Sequence, residues 1–294
     1  MVLELLRAPL FVPATRPERF SKALASGADA VIIDLEDAVA HSEKDAARQV
    51  LREALPGLAD RGRPVGVRIN AASSEHLGAD VELLGEVAEH LDFLVLPEVS
   101  GVHDLEALGG TRDPAAAPSN ASSQLPVLAL IESSRGLLEA AAIAAAPRVR
   151  RLALGAADLA EDWRIEPSVE EAEFDHARQH LVIASRAAGL AGPLDTPHMN
   201  VNDDDGLARR TRAVAQLGMQ GKLCIHPGQV QTVLSGWVVS VQQHDQLREL
   251  VEVFEQAERS GNSSVRLDDG SFVDYPVYRR ALRQIQAFEE HHRD

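Results

Sequence analysis

Residues 27–39 read GADAVIIDLEDAV, an apolar run that ends in three carboxylates within four residues, Asp34, Glu36 and Asp37. A short, continuously apolar run behind a glycine has the character of a strand buried on both faces, as in a parallel sheet covered by helices. The next segment, KDAARQVLREAL (44–55), carries helical periodicity. The same strand-then-helix unit recurs at APLFVP (8–13), PVGVRIN (64–70), FLVLPEV (93–99), PVLALIE (126–132), VRRLALGAAD (149–158), a weaker GPLDTPHM (192–199) and GKLCIHP (221–227). Eight such units in about 240 residues are the signature of a (β/α)8 barrel. A doubly wound sheet loses its main support, because LFVPATRPERF after the first strand has no GxGxxG. The expected fold is therefore α/β: a TIM barrel over residues 1–240, then a C-terminal helix and lid segment over 241–294.

Composition agrees. Of the 294 residues, 45% are hydrophobic and only 4% aromatic, so the core must be built from Leu, Val, Ile and Ala. The formal charge of −16 disfavours nucleic acid and anionic membranes as partners, because the long-range field repels polyanions. A single cysteine, Cys224, excludes an internal disulfide and a multi-cysteine zinc site and fits a reducing compartment. With neither a membrane-length apolar run nor a signal-peptide pattern, a cytoplasmic location is expected. GGTRDPAAAPSNASSQ (109–124) reads as a mobile loop before the fifth strand. Lysine is scarce, with Lys22, Lys44 and Lys222 against 26 arginines, so each is a candidate for a specific role.

In a barrel, functional groups gather at the C-terminal ends of the strands. Here those ends carry Asp34, Glu36, Asp37, Arg68, Asn70, Glu98, Glu132, Asp158, Asp195 and His226. Helix capping explains any one of these acids but not the whole ring. Crowded carboxylates resist ionisation unless a cation shares the space. Hard oxygen ligands suit Mg2+, with Mn2+ as a substitute, whereas zinc favours more His or Cys.

The ordered motifs LFVPATRPERFSKALASGADAVIIDLEDAVA, VRIN, ALIESSRG, LALGAADLAED and GKLCIHPGQV closely resemble the citrate lyase beta-subunit-like and malyl-CoA (citramalyl-CoA) lyase family of the HpcH/HpaI aldolase superfamily, over roughly residues 7–278. The resemblance implies a metal on Glu132 and Asp158 and a substrate-binding arginine at Arg68. It implies a CoA portion lined by Phe11, Lys22, Lys44, Ile225 and His226, and a catalytic acidic pair, Glu36 and Asp37, beside the metal. DDGSFVDYP resembles the C-terminal lid of the CoA lyases, whose Asp, here Asp274, reaches a neighbouring subunit's site in a homotrimer or hexamer. The chain departs from the family at Ala14, often Gly, and at Glu98, often Lys, which reverses a charge at the mouth and bears on which acid is accepted.

The activity this resemblance implies is Mg2+-dependent retro-Claisen cleavage of a 3-hydroxyacyl-CoA dicarboxylate (citramalyl-, malyl- or citryl-CoA) to acetyl-CoA and a 2-oxo acid, with Arg68 on the developing oxyanion and Asp274 carrying a proton. Alternatives are thioester hydrolysis at the same site, an aldolase of free 2-oxo acids, and a non-catalytic CoA-binding subunit of a lyase complex. His176 and His180 stand at i, i+4 without an HExxH, which reads as a solvated helix face. VNDDDG (201–206) lacks the final Glu of an EF-hand loop and reads as a helix cap.

Overall fold

The structure, a computed structural model, describes residues 2–58, 62–109 and 124–291. The loop expected to be mobile, 109–124, lies outside the described residues except for its two end residues. The chain divides into two compact units, Met1–Trp237 and Val238–Asp294.

In the first unit, β1 (Leu10–Pro13), β2 (Val31–Asp34), β3 (Val65–Arg68), β4 (Phe93–Leu96), β5 (Val127–Ile131) and β6 (Val149–Leu154) pair in parallel in sequence order. The circle closes through two staves reduced to single parallel bridges, Ala153 with Leu194, Asp195 with Lys222, and Cys224 back to Leu10 of β1. Main-chain bonds run the same way: Leu154 N–H donates to Leu194 O, Leu223 N–H to Asp195 O, and Phe11 N–H to Cys224 O. The weak seventh segment is short for a covalent reason, since Pro193 and Pro197 bracket it and supply no N–H to a ladder.

Strand alternation sorts the core into two shells. Ile32, Phe93, Val95, Leu128, Leu130, Ala153, Leu194 and Leu223 fill the barrel interior. Their neighbours Val31, Ile33, Leu94, Ala129, Leu152 and Cys224 pack outward with the helices. Gly66 stands opposite Phe93, where an added Cβ would meet the ring at 2.3 Å, so a small residue admits a large one. The N-terminal end is plugged by Arg151, 0% exposed, which donates to the carbonyls of Leu3, Leu6, Gly192 and Gln220. Its burial lowers its pKa to about 9.

The second unit is a helix, Val241–Arg259, an antiparallel hairpin of Ser264–Arg266 with Phe272–Asp274, and a second helix, Tyr275–His291. Ser240 and Gln243 form a capping box on the first helix. The sequence suggests that VRLDDGSFVDYPVYRRAL after the first helix is turn-rich, but from Tyr275 onward the segment is helical. Pro276 sits in the first turn, where its missing N–H removes no intrahelical bond. Phe254 stacks on Tyr278 at 4.8 Å and meets Tyr275 edge-on at 5.3 Å. Among the described residues, no helix is long and apolar enough to cross a membrane.

Candidate active site

Because Ile32, Leu130 and Ala153 point into the barrel, the residues two further along, Asp34, Glu132 and Gly155, face inward at its C-terminal end. There a cavity of about 340 Å³ is lined by Phe11, Pro13, Asp34, Asp37, Arg68, Leu130, Glu132, Gly155, Asp158, Thr196, Met199, Leu223 and Ile225, among others. Phe11, Asp37, Arg68, Glu132, Asp158 and Ile225 of the sequence candidates thus meet around one cavity.

Arg68 organises the basic side. Its Nε and Nη2 fork onto Asp34 at 2.7 and 2.6 Å, while Nη1 lies 2.7 Å from Glu36 and 3.2 Å from Asp37. The guanidinium sits 4.9 Å over the Phe11 ring. Bidentate pairing fixes the guanidinium plane and raises its pKa further, the gain from three carboxylates exceeding the cost of burial. Asp34 also accepts the N–H groups of Glu36, at 2.9 Å, and Ala38, at 3.3 Å, and so shapes the loop that carries Glu36 and Asp37. The sequence alone does not reveal this holding role of Asp34, although its place beside Arg68 in the β2–β3 register is the signal that could have found it.

On the acidic side, Glu132 is 6% exposed. Burial pushes its carboxyl up to about 7, with Asp158 adding to the rise. Its Oε2 accepts the Glu98 N–H at 2.7 Å. Glu98 itself stands at φ +51°, an uncommon conformation for a non-glycine residue that turns this N–H onto the carboxylate. Gly155 leaves the space that Glu132 fills, since a Cβ there would lie 2.2 Å from Oε1. Asp158, in the first turn of the helix Ala156–Trp163, is raised by desolvation and by Asp37. Burial also lifts Glu36 to about 8, against the pull of Arg68. The wall offers carboxylate oxygens and neither His nor Cys, and its acids raise one another's pKa, which is the donor set and the electrostatic need of a hard divalent cation. The residues therefore fit Mg2+.

Within the first unit, Glu36, Lys22, Lys44 and His226 do not line this cavity. Lys44 is buried, and its ammonium donates to Leu35 O, Glu36 O and Asn70 Oδ1 at 2.8, 2.9 and 2.6 Å, so all three protons are engaged inside the protein and none faces a phosphate. Lys22 is exposed on the helix Phe20–Leu24. His226 is exposed next to Ile225, with Nδ1 accepting Gly228 N–H at 3.2 Å. Asp274, in the second unit, accepts Val277 N–H at 3.1 Å in the first turn of its helix. Asp195 does not join the mouth. With Leu194 pointing inward, Asp195 points outward and is 0% exposed between Lys222 Nζ and Arg178 Nε, each at 2.6 Å. Although burial opposes ionisation, those two cations hold its pKa down at about 2. Lys222, a candidate on scarcity alone to which the family resemblance assigns no role, is thus a structural counter-ion. Ala14 is buried, and its φ lies outside the left-handed region, so it imposes no backbone strain. Asp203 caps the helix Asp204–Leu217 through Gly206 N–H, the role read from VNDDDG. Cys224 is buried, and its thiol is pushed up to about 12.

Comparison with known proteins identifies the family. The chain is 32% identical to citrate lyase subunit beta of Leuconostoc mesenteroides subsp. cremoris, over 98% of this chain and 95% of the relative. It is 33% identical to (3S)-malyl-CoA thioesterase of Cereibacter sphaeroides, over 91% and 89%. Among solved structures, CitE from Mycobacterium tuberculosis in complex with magnesium, acetoacetate and coenzyme A matches with a TM-score of 0.79 at 31% identity, covering 97% of this chain and 99% of that one. The family model for HpcH/HpaI aldolase/citrate lyase matches residues 7–227, the barrel that carries Arg68, Glu132 and Asp158, and the chain belongs to that family.

Proposed function

We propose that this protein is a Mg2+-dependent CoA-ester carbon–carbon lyase that cleaves a 3-hydroxyacyl-CoA dicarboxylate, of the citramalyl-, malyl- or citryl-CoA type, to acetyl-CoA and a 2-oxo acid. The observation that carries the reading is the convergence of Arg68, Glu132, Asp158 and Asp37 on one 340 Å³ cavity. Glu132 and Asp158 would hold Mg2+, which when bound would supply Lewis-acid polarisation of the substrate. Asp37, on the cavity wall, takes the hydroxyl proton as the carbon–carbon bond breaks. The bonding pair passes to the thioester as an enolate, and Arg68, its plane fixed by Asp34, stabilises the oxyanion. A proton returned to the methylene carbon, from Asp274 of a neighbouring subunit, yields the acetyl group. The shared site is satisfied for every subunit in a cyclic homotrimer, or in a hexamer built from one, the assembly the family resemblance implies. Exposed Arg16 and Arg19, with Lys22, supply cations for the CoA phosphates beside β1.

The malyl-CoA thioesterase likeness favours one second reading, hydrolysis of the thioester at the same cavity. Purified protein incubated with the three CoA esters and Mg2+ separates the two. Acetyl-CoA formed in step with a 2-oxo acid identifies the lyase. Free CoA with an intact hydroxy acid identifies the thioesterase. Turnover of added free 4-hydroxy-2-oxo acids, with the CoA esters left intact, would indicate the aldolase of 2-oxo acids, and no turnover a non-catalytic subunit.

A further inference from the structure

One set of ligating side chains takes no part in the barrel mouth. His41 opens the 3-10 turn His41–Glu43 that leads into the helix Lys44–Ala54. Glu75 and His76 precede the helix Leu77–Val87 after β3. His41 Nδ1 and His76 Nε2 lie 3.0 Å apart, and the Glu75 carboxylate lies within 4.8 Å of both. Two neutral imidazoles that face each other share a single proton; when the donor ring carries its proton on the other nitrogen instead, two lone pairs converge on one point. Nitrogen ligands of tetrahedral zinc, at about 2.0–2.1 Å from the metal, stand about 3.3 Å apart. The observed spacing is within a few tenths of an ångström of that edge.

The arrangement is held from beneath. Buried Arg48 donates from Nη2 to the His76 carbonyl at 3.1 Å and from Nε to Asp80 at 2.7 Å. Asp80 Oδ2 accepts both N–H groups of Asn70, at 2.8 Å from the main chain and 2.6 Å from the side chain, and Asn70 Oδ1 accepts Lys44 at 2.6 Å. Lys44 begins the helix that His41 leads into, so one buried network positions both histidines. Ligand chemistry separates this cluster from the barrel mouth. Imidazole nitrogens select zinc and its transition-metal neighbours, whereas the mouth offers only carboxylate oxygens. The net charge of −16 favours cations generally.

We propose that His41, His76 and Glu75 form a second metal site, for Zn2+ or a similar transition ion, which ties the loop after β2 to the loop after β3. His41 also lines a hollow of about 420 Å³ shared with Glu36, Asp37 and Glu98, so the ion sits beside the mouth without using its ligands.

The test is calorimetric titration of the full chain with Zn2+ in excess Mg2+, which occupies the mouth carboxylates, with Co2+ absorption reporting tetrahedral coordination. Wild type should take up one Zn2+ that His41→Ala/His76→Ala binds more than about a hundredfold more weakly, since losing even an outer partner of a metal ligand costs about 10–100-fold. Glu75→Gln should weaken it by about tenfold or more. His176→Ala/His180→Ala removes the other histidine pair, whose rings are 6.3 Å apart, and should keep the wild-type isotherm. Circular dichroism and Mn2+ binding at the mouth establish that each variant is folded, and Glu75→Gln, a near-isosteric change at an exposed position, serves if the double variant is not. If wild type binds no Zn2+ beyond what His41→Ala/His76→Ala retains, or if only the His176/His180 variant loses it, the proposal is overturned and His41 and His76 are a hydrogen-bonded pair only.

Discussion

Gly155→Ala isolates how Glu132 is held. Gly155 stands where β6 passes into the helix Ala156–Trp163, at φ −106° and ψ 94°, extended backbone that an alanine adopts. The substitution therefore succeeds or fails on space alone. A Cβ would stand 2.2 Å from Glu132 Oε1 and 2.4 Å from its Cγ, and ordinary contact begins at 3.4 Å, so the carboxylate must retreat by about 1.2 Å. The Glu98 N–H restrains Oε2, and the retreat has to come from tilting the group away from the cavity. Misplacing a catalytic group by about 1 Å costs on the order of 10²-fold in rate, while overpacking costs about 1–3 kcal/mol of stability. The expected variant is folded, about a hundredfold slower, and weaker in metal affinity. Initial rates across a Mg2+ series, with Mn2+ binding followed by electron paramagnetic resonance, measure both effects. Because the two residues act as a unit, Gly155→Ala should add nothing to Glu132→Gln. Wild-type rate and metal affinity in Gly155→Ala, or losses that add in the double variant, would refute the argument that Glu132 is the metal ligand held in this cradle.

Burial holds Glu132 at about 7 and Glu36 at about 8, above the ordinary 4.5, so the support their neutral forms give the fold is complete below about pH 4.5 and is lost as pH rises through 7 to 8; Glu132 alone accounts for on the order of 3 kcal/mol. Mg2+-free protein should melt lower at pH 8.5 than at pH 6, with Mg2+ restoring more at the higher pH; equal Mg2+ stabilisation at both, by differential scanning fluorimetry, would count against it. Lys222→Met leaves Asp195 buried with one cation fewer and should cost about 3–5 kcal/mol in urea unfolding; a loss below about 1 kcal/mol would deny the pair that role. Lys22→Ala should raise KM for the CoA ester and spare kcat, because contacts far from the reacting carbon give uniform binding; an unchanged KM makes Lys22 a solvated surface charge. Arg68→Ala and Asp274→Ala, each inactive alone, should regain about a quarter of wild-type sites when co-refolded into mixed rings; no recovery in mixtures shown by mass spectrometry to have exchanged subunits excludes a shared site.

The barrel is legible in the sequence because its repeat is chemical: six short apolar runs, rich in Val, Ile and Leu, give β1 to β6 in the order read. The seventh reads weakly for the reason that makes it weak in space, since prolines at 193 and 197 limit it to one bridge on each side. The tail is less legible. Pro276 looks like a turn signal, but at the start of a helix proline is preorganised, and only the aromatic packing of Tyr275 and Tyr278 on Phe254 shows which context applies.

For the mouth, residue type is readable but direction is not. A strand apolar on both faces, such as VIID, gives no alternation by which to tell inside from outside, so the acids at its end cannot be sorted from one another. Direction comes from closure: once Ile32, Leu130 and Ala153 fill the barrel, Asp34, Glu132 and Gly155 must turn inward after them, and Asp195, one residue past inward Leu194, must turn out to Lys222 and Arg178. The same parity, applied to GKLCIHP, directs Leu223 and Ile225 to the cavity and withholds His226. Lys44 is the harder case, because its destination is set by Leu35 O, Glu36 O and Asn70, two main-chain carbonyls and an amide on different loops, which no spacing encodes. A lysine near a site that binds phosphates is therefore weak evidence of a phosphate contact until its three protons have been accounted for.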